Sequence, residues 1–170
     1  MINAGGKNRR TRASADGWET APEILLPAGR AQSWALRDFR GKPVVLVFYP
    51  ADWEPVSTDQ LIHYNEIVPQ LHALDAELVG ISVDGIWCHE AFAKALRLRF
   101  RLLSDTDPQG AAARAYGVYR PKDGTSERAL IVIDRRGIIR WRYVAPREIN
   151  PGVDGILTAL ETLADRTEPS

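Results

Sequence analysis

The chain has 170 residues, 45% of them hydrophobic, and balances 22 Lys+Arg against 22 Asp+Glu. That suffices for one domain with a sizeable core, and the zero net charge sets it apart from general nucleic-acid binders, which carry a strong positive excess. A single cysteine excludes an intramolecular disulfide framework, a two-cysteine redox cycle within the chain and a cysteine-rich zinc site.

Charge is uneven along the chain. Lys7, Arg9, Arg10 and Arg12 are the only charged groups in the first fifteen residues, which leaves 18 basic and 22 acidic residues for the remainder. Residues 1–16 are expected to form a disordered, solvated basic leader, without the apolar stretch of a secretory signal. Residues 17–166 are expected to form the domain and 167–170 a tail. No apolar run approaches the roughly 20 residues needed to span a bilayer, so the expectation is a cytoplasmic protein with neither a membrane nor a nucleic acid as partner.

Residues 23–26 and 33–36 suit a small hairpin or edge element. Val44 to Tyr49 is a continuous apolar, β-branched run, the pattern of a strand buried on both faces, and Pro43 and Pro50 punctuate its ends. A loop over 51–57 follows. Pro55 sits where a first helical turn tolerates proline, and Leu61, Ile62, Tyr64, Ile67, Val68, Leu71 and Leu74 recur at helical spacing, with Pro69 kinking or splitting the helix. Further on come a strand over 77–83, a helix over 87–98, a short strand over 101–103 and a helix over 108–116 with Asp107 as N-cap. A strand over 128–134, a turn at 135–137, a hairpin partner over 138–144 and a closing helix to Ala164 complete the chain. The order β-α-β-α-β-α-β-β-α predicts an α/β fold: a mixed central β-sheet with helices on both faces, parallel where helices separate the strands and antiparallel at the last hairpin. This is the architecture of the thioredoxin-like fold.

One strand-loop-helix segment is more specific. Phe48-Tyr49-Pro50-Ala51-Asp52-Trp53-Glu54-Pro55-Val56-Ser57 resembles the active-site segment of the peroxiredoxins, the alkyl hydroperoxide reductase and thiol-specific antioxidant family. That segment has Pro, three residues, Thr or Ser, two residues, then Cys. Asp38 to Pro43, Gly80 to Asp84 with His89 and Phe92, Leu103-Ser104-Asp105, Ala115 to Val118 and Ser126-Glu127-Arg128-Ala129 resemble further family segments in the same order, covering roughly residues 18 to 165.

The resemblance implies an antioxidant activity, the thiol-dependent reduction of hydroperoxides. A cysteine in the first turn of a helix is held as thiolate by the helix dipole, free backbone N–H groups and an arginine. It attacks the peroxide O–O bond and becomes a sulfenic acid, while the Thr or Ser hydroxyl positions the peroxide and arginine stabilises developing charge. Carried over residue by residue, Pro50 and Arg128 match this frame. Ser57 stands at the peroxidatic position and Glu54 at that of Thr or Ser. An alcohol cannot climb the sulfur oxidation ladder, and a carboxylate raises the pKa of a neighbouring thiol. A single Cys-to-Ser replacement made in the laboratory accounts for Ser57 but leaves Glu54 unexplained, so a naturally altered, degenerate site is favoured. Ser57 is expected to cap or hydrogen-bond the helix start. Glu54 is expected to pair with Arg128 in the anion position, bidentate if geometry allows.

Cys88, in Asp84-Gly85-Ile86-Trp87-Cys88-His89, is the remaining redox candidate. Its place near a helix start could lower its pKa, with help from a protonated His89; the plainer reading is a small, half-buried residue. His63, His72 and His89 have no metal-ligand spacing, and no phosphate-binding glycine loop or other cofactor motif is present. Three readings stay open: an impaired peroxiredoxin, a non-catalytic scaffold that pairs with itself or with a related peroxiredoxin, and a different enzyme that uses Cys88 with a thiol reductant or a Ser57-centred pocket with Ser57 as a hydrolytic nucleophile.

Overall fold

The computed structural model describes residues 18–166, so the expected leader and tail lie outside the described residues. The chain opens with an antiparallel hairpin, β1 (Leu25–Gly29) and β2 (Gln32–Ala35), two residues later than the sequence pattern placed its first arm. A 3-10 turn (Leu36–Phe39) leads into β3 (Val44–Phe48). Helix α1 (Pro55–Glu66) and helix α2 (Val68–Ala73) follow, divided at Ile67, with Pro69 in the first turn of α2 where its missing N–H costs no helical bond. Next come β4 (Glu77–Ser82), α3 (Ile86–Leu96), β5 (Arg101–Ser104) and α4 (Ala111–Ala115). Two-residue strands β6 (Tyr119–Arg120) and β7 (Thr125–Ser126) make a small hairpin before β8 (Arg128–Ile133), β9 (Ile139–Ala145) and α5 (Asp154–Asp165).

The central sheet has the order β5-β4-β3-β8-β9. β3, β4 and β5 are parallel. β8 runs antiparallel to β3, although a helix precedes it, and β9 is antiparallel to β8. The sequence expectation of parallel pairing at β8 is corrected here: α4 has only five residues and the β6–β7 hairpin returns the chain to where it left, so the chain is not carried back across the sheet and β8 starts at the end where β5 finishes. Asp107 is not the cap of α4 either. That helix starts after Gly110, whose φ of +74° suits glycine, and the carboxylate of Asp105 accepts from the Ala112 and Ala113 N–H groups at 2.9 and 3.0 Å.

The period-2 pleat divides β3 between two cores. Val44, Leu46 and Phe48 face a layer with Trp34, Ala113 and Tyr116, supplied by the N-terminal hairpin and α4. Val45 and Val47, with Tyr49 just beyond the strand, face Leu61, Tyr64 and Leu71 of α1 and α2, Phe92 of α3, and Ile156 and Leu160 of α5. The expected α/β fold with cover on both faces is therefore the observed one. The two cores hold β3 from both sides and deliver Pro50, itself buried, and the loop beyond it to the start of α1. No helix among the described residues is long and apolar enough to cross a membrane.

Candidate active site

The loop from Pro50 to Glu54 ends in an N-cap made by Glu54, with Pro55 as the first helical residue. Proline has no N–H to satisfy, so the first free donors are those of Val56 and Ser57. The Glu54 carboxylate takes both: Oε1 accepts from Val56 N–H at 3.0 Å and Oε2 from Ser57 N–H at 2.7 Å. The Ser57 hydroxyl also donates to Oε2 at 2.6 Å. The acid caps the helix, and the hydroxyl of the third helical residue bonds the capping side chain rather than the backbone. Of the two roles expected for Ser57, capping or hydrogen-bonding the helix start, it takes the second: Glu54 is the cap and Ser57 bonds to it.

Arg128 opens β8 beside β3 and is fully buried. All five of its N–H donors are used. Nη2 donates to Glu54 Oε2 at 3.0 Å and to the Arg147 carbonyl at 2.8 Å. Nη1 donates to Ser57 Oγ at 3.0 Å and to Gln60 Oε1 at 2.8 Å. Nε donates to the Arg147 carbonyl at 3.0 Å. The anticipated Glu54–Arg128 pair is thus present, but through one oxygen rather than bidentate. Arg128 Nε and the second Nη2 donor go to the Arg147 carbonyl instead, which leaves one guanidinium N–H for the carboxylate.

Among the described residues, Glu54 is the one carboxylate that pairs with Arg128. Burial works to raise the Glu54 pKa, but hydrogen bonds from the Ser57 hydroxyl, the two N–H groups and Arg128 outweigh it and hold the group at about 2. So acidic a carboxylate is a poor proton acceptor, and Ser57 has no exposed surface. The pair is therefore no hydrolytic nucleophile and base.

Sequence reasoning missed Gln60 and Tyr64. Gln60 Nε2 donates to the Tyr64 hydroxyl at 3.0 Å, and that hydroxyl donates to the Gly152 carbonyl at 3.0 Å. Ser57, Gln60 and Tyr64 follow one another at i+3 and i+4, so the available signal was a polar stripe on a single helix face. Together with the Arg147 carbonyl it ties the segment before α5 to Arg128.

Cys88 lies apart, in the first turn of α3. Its Sγ is 4.0 Å from Asp84 Oδ1, and burial and the nearby Asp52 and Asp84 carboxylates push the thiol up to about 11. The expected lowering is corrected: two carboxylates oppose the helix start. His89 gives Cys88 no help, because its Nδ1 faces Asp52 Oδ2 at 2.7 Å and its Nε2 the Leu103 carbonyl at 3.0 Å. Ligand atoms of Asp52, Asp84 and Cys88 come within 4.8 Å of one another. Tyr49 and His89 occupy both Asp52 oxygens, however, and Ser82 and the Asp52 N–H occupy Asp84 Oδ2. That donor set fits an internal hydrogen-bond network better than a metal. Trp53 is half exposed at φ +68°, an unusual conformation for an aromatic residue, and its ring lies 5.1 Å from that of Phe92. Trp87 is exposed under the Arg30 guanidinium, 4.1 Å from its ring centroid.

Comparison with known proteins agrees with this layout. Residues 18–142 match the AhpC/TSA family. Alkyl hydroperoxide reductase E of Mycobacterium bovis is 36% identical over 123 residues, 72% of this chain and 80% of that protein. Peroxiredoxin 2 of Thermoplasma acidophilum is 31% identical over 151 residues, 85% of this chain and 74% of the relative. Across such relatives the chain spans between 56% and 80% of their length. The reduced 2-Cys peroxiredoxin of Plasmodium vivax superposes with a TM-score of 0.80 at 28% identity, covering 87% of this chain and 81% of that one. With a matching family segment, relatives above 30% identity and a shared thioredoxin-like fold, the chain belongs to the AhpC/TSA family, the peroxiredoxins, whose activity is thiol-dependent peroxide reduction.

Proposed function

We propose that this chain is a peroxiredoxin whose own peroxide-reducing site is lost, with the fold kept as a binding or regulatory scaffold. Ser57 stands at the peroxidatic position and Glu54 at that of the Thr or Ser. The observation that carries the reading is the Glu54 carboxylate itself: it takes the helix N–H groups, the Ser57 hydroxyl and the Arg128 guanidinium, the donors that would otherwise hold a thiolate and its peroxide. An internal anion replaces the reacting one, and no thiol lies within reach of Arg128. Pro50 and Arg128 remain as the frame of the site.

Assembly as a homodimer, or with a related peroxiredoxin, belongs to the same proposal. β9 is an edge strand with Tyr143 and Val144 exposed, which supports such pairing. A cytoplasmic setting suits a chain with one cysteine and no disulfide. The test is peroxide consumption with dithiothreitol. The unaltered chain and Cys88→Ala should be equally inert, and Ser57→Cys combined with Glu54→Thr should gain turnover. Turnover by the unaltered chain that survives Cys88→Ala would overturn the proposal.

A further inference from the structure

We infer that the chain carries a second binding site, for an amphipathic aliphatic monocarboxylate, at the end of the sheet opposite the Arg128 site. A cavity of about 410 Å³ opens there, within the size range of small-molecule sites. Its floor is apolar, made by Pro43 at the entry to β3, Leu74 just after α2, and Leu160 and Leu163 of α5. Its charged lining is Asp134 and four arginines, Arg135, Arg136, Arg140 and Arg166.

These arginines are not equivalent. Arg140 donates to Asp134 at 2.8 Å and Arg135 to Asp75 at 3.1 Å, so each has a carboxylate of its own. Arg136 and Arg166 are exposed, and no carboxylate partner is recorded for either among the described residues. With the cavity's one acidic group already engaged, two uncompensated cations stand over a hydrocarbon floor. That combination selects a molecule with an apolar body and one anionic end. Guanidinium groups favour a carboxylate head, which they bind with paired hydrogen bonds, and the floor rewards an alkyl chain withdrawn from water. A small inorganic anion uses only the rim and a neutral hydrocarbon only the floor.

The site is independent of the proposed function. Pro43 precedes β3 and Pro50 follows it, so the five residues of the strand, about 17 Å at 3.3 Å each, lie between the two. A ligand here meets neither Glu54 nor Ser57.

The test is calorimetric titration of the full chain with sodium decanoate, beside acetate as the head group alone. The expected result is saturable binding of one decanoate per chain with no saturable heat from acetate. Arg136→Glu combined with Arg166→Glu should weaken decanoate binding by about tenfold or more, since it reverses both uncompensated charges. Arg136→Gln with Arg166→Gln, a milder change in case the reversal perturbs folding, should weaken it in the same direction. Decanoate binding that is non-saturable, or undiminished in both pairs of variants, overturns the inference. So does arginine-dependent pelleting with phosphatidylglycerol vesicles in the absence of saturable decanoate binding, which would make the patch a membrane-contact surface.

Discussion

Replacing Glu54 by glutamine keeps the side chain's shape and removes its charge. In the folded chain the carboxyl is held at about 2 against an ordinary 4.5. That lowering corresponds to roughly 3 kcal/mol. The side chain is 32% exposed, so solvent screening reduces the expected loss to about 2 kcal/mol. In a domain of this size that is a fall in Tm of roughly 4–8 °C. Because the folded pKa lies below the unfolded one, the stabilisation is complete above about pH 4.5 and disappears as pH falls toward 2. Urea unfolding of the unaltered chain and Glu54→Gln at pH 7, 5 and 3 should therefore give a gap that is widest at pH 7, nearly as wide at pH 5, and narrow at pH 3. Equal stability at pH 7, or a gap that ignores pH, would refute the argument that this carboxylate compensates Arg128.

Three further outcomes follow from the same geometry. Ser57→Cys alone should place a thiol where the Ser57 hydroxyl donates to Glu54 Oε2 at 2.6 Å, so thiolate absorbance should appear only well above pH 8.5; adding Glu54→Thr should bring the transition below neutrality, because Arg128 then has no other anion. Cys88, held at about 11 rather than 9, should react with iodoacetamide at pH 8 roughly a hundredfold more slowly than an unperturbed cysteine, and a rate like that of a free thiol would contradict the carboxylate effect. Gln60→Leu should cost about 1–3 kcal/mol in urea unfolding, since it strips Arg128 Nη1 of a buried acceptor; a neutral result would mean that water or a neighbour replaces it.

Much of the fold was legible because its signals are local. Val44 to Tyr49 could only be a buried strand, and the proline positions marked where α1 starts and α2 separates from it. What the sequence hid was set by contacts across the chain. The β6–β7 hairpin is too short to show a period, and the five-residue α4 before it does not carry the chain back across the sheet, which sets the direction of β8. The carboxylate at the start of α4 comes from Asp105, reaching past Asp107, because the loop folds back on itself. At the site, the resemblance of Pro50, Glu54, Ser57 and the distant Arg128 to the peroxiredoxin frame was enough to anticipate an ion pair. Its single-oxygen geometry was not legible, since that depends on the Arg147 carbonyl taking the neighbouring guanidinium donors. Gln60 looked like an ordinary polar helix position and Tyr64 like one of the apolar series, until β8 placed a buried guanidinium beside Gln60.

The neutrality of Gln60 has an evolutionary consequence. With an amide on that side of the guanidinium, one anion among the described residues balances Arg128, and it sits at position 54. A cysteine gained at 57 while Glu54 remains meets a carboxylate and stays a thiol. Losing Glu54 while Ser57 remains strands a buried cation. On the proposed reading, both single-step routes to a thiolate site pass through an intermediate that is inert or less stable, and only the paired change reaches a working arrangement. Positions 54 and 57 are coupled in that reading, and the coupling acts as a ratchet: the glutamate that balances the buried guanidinium is the group a thiolate at 57 would have to displace.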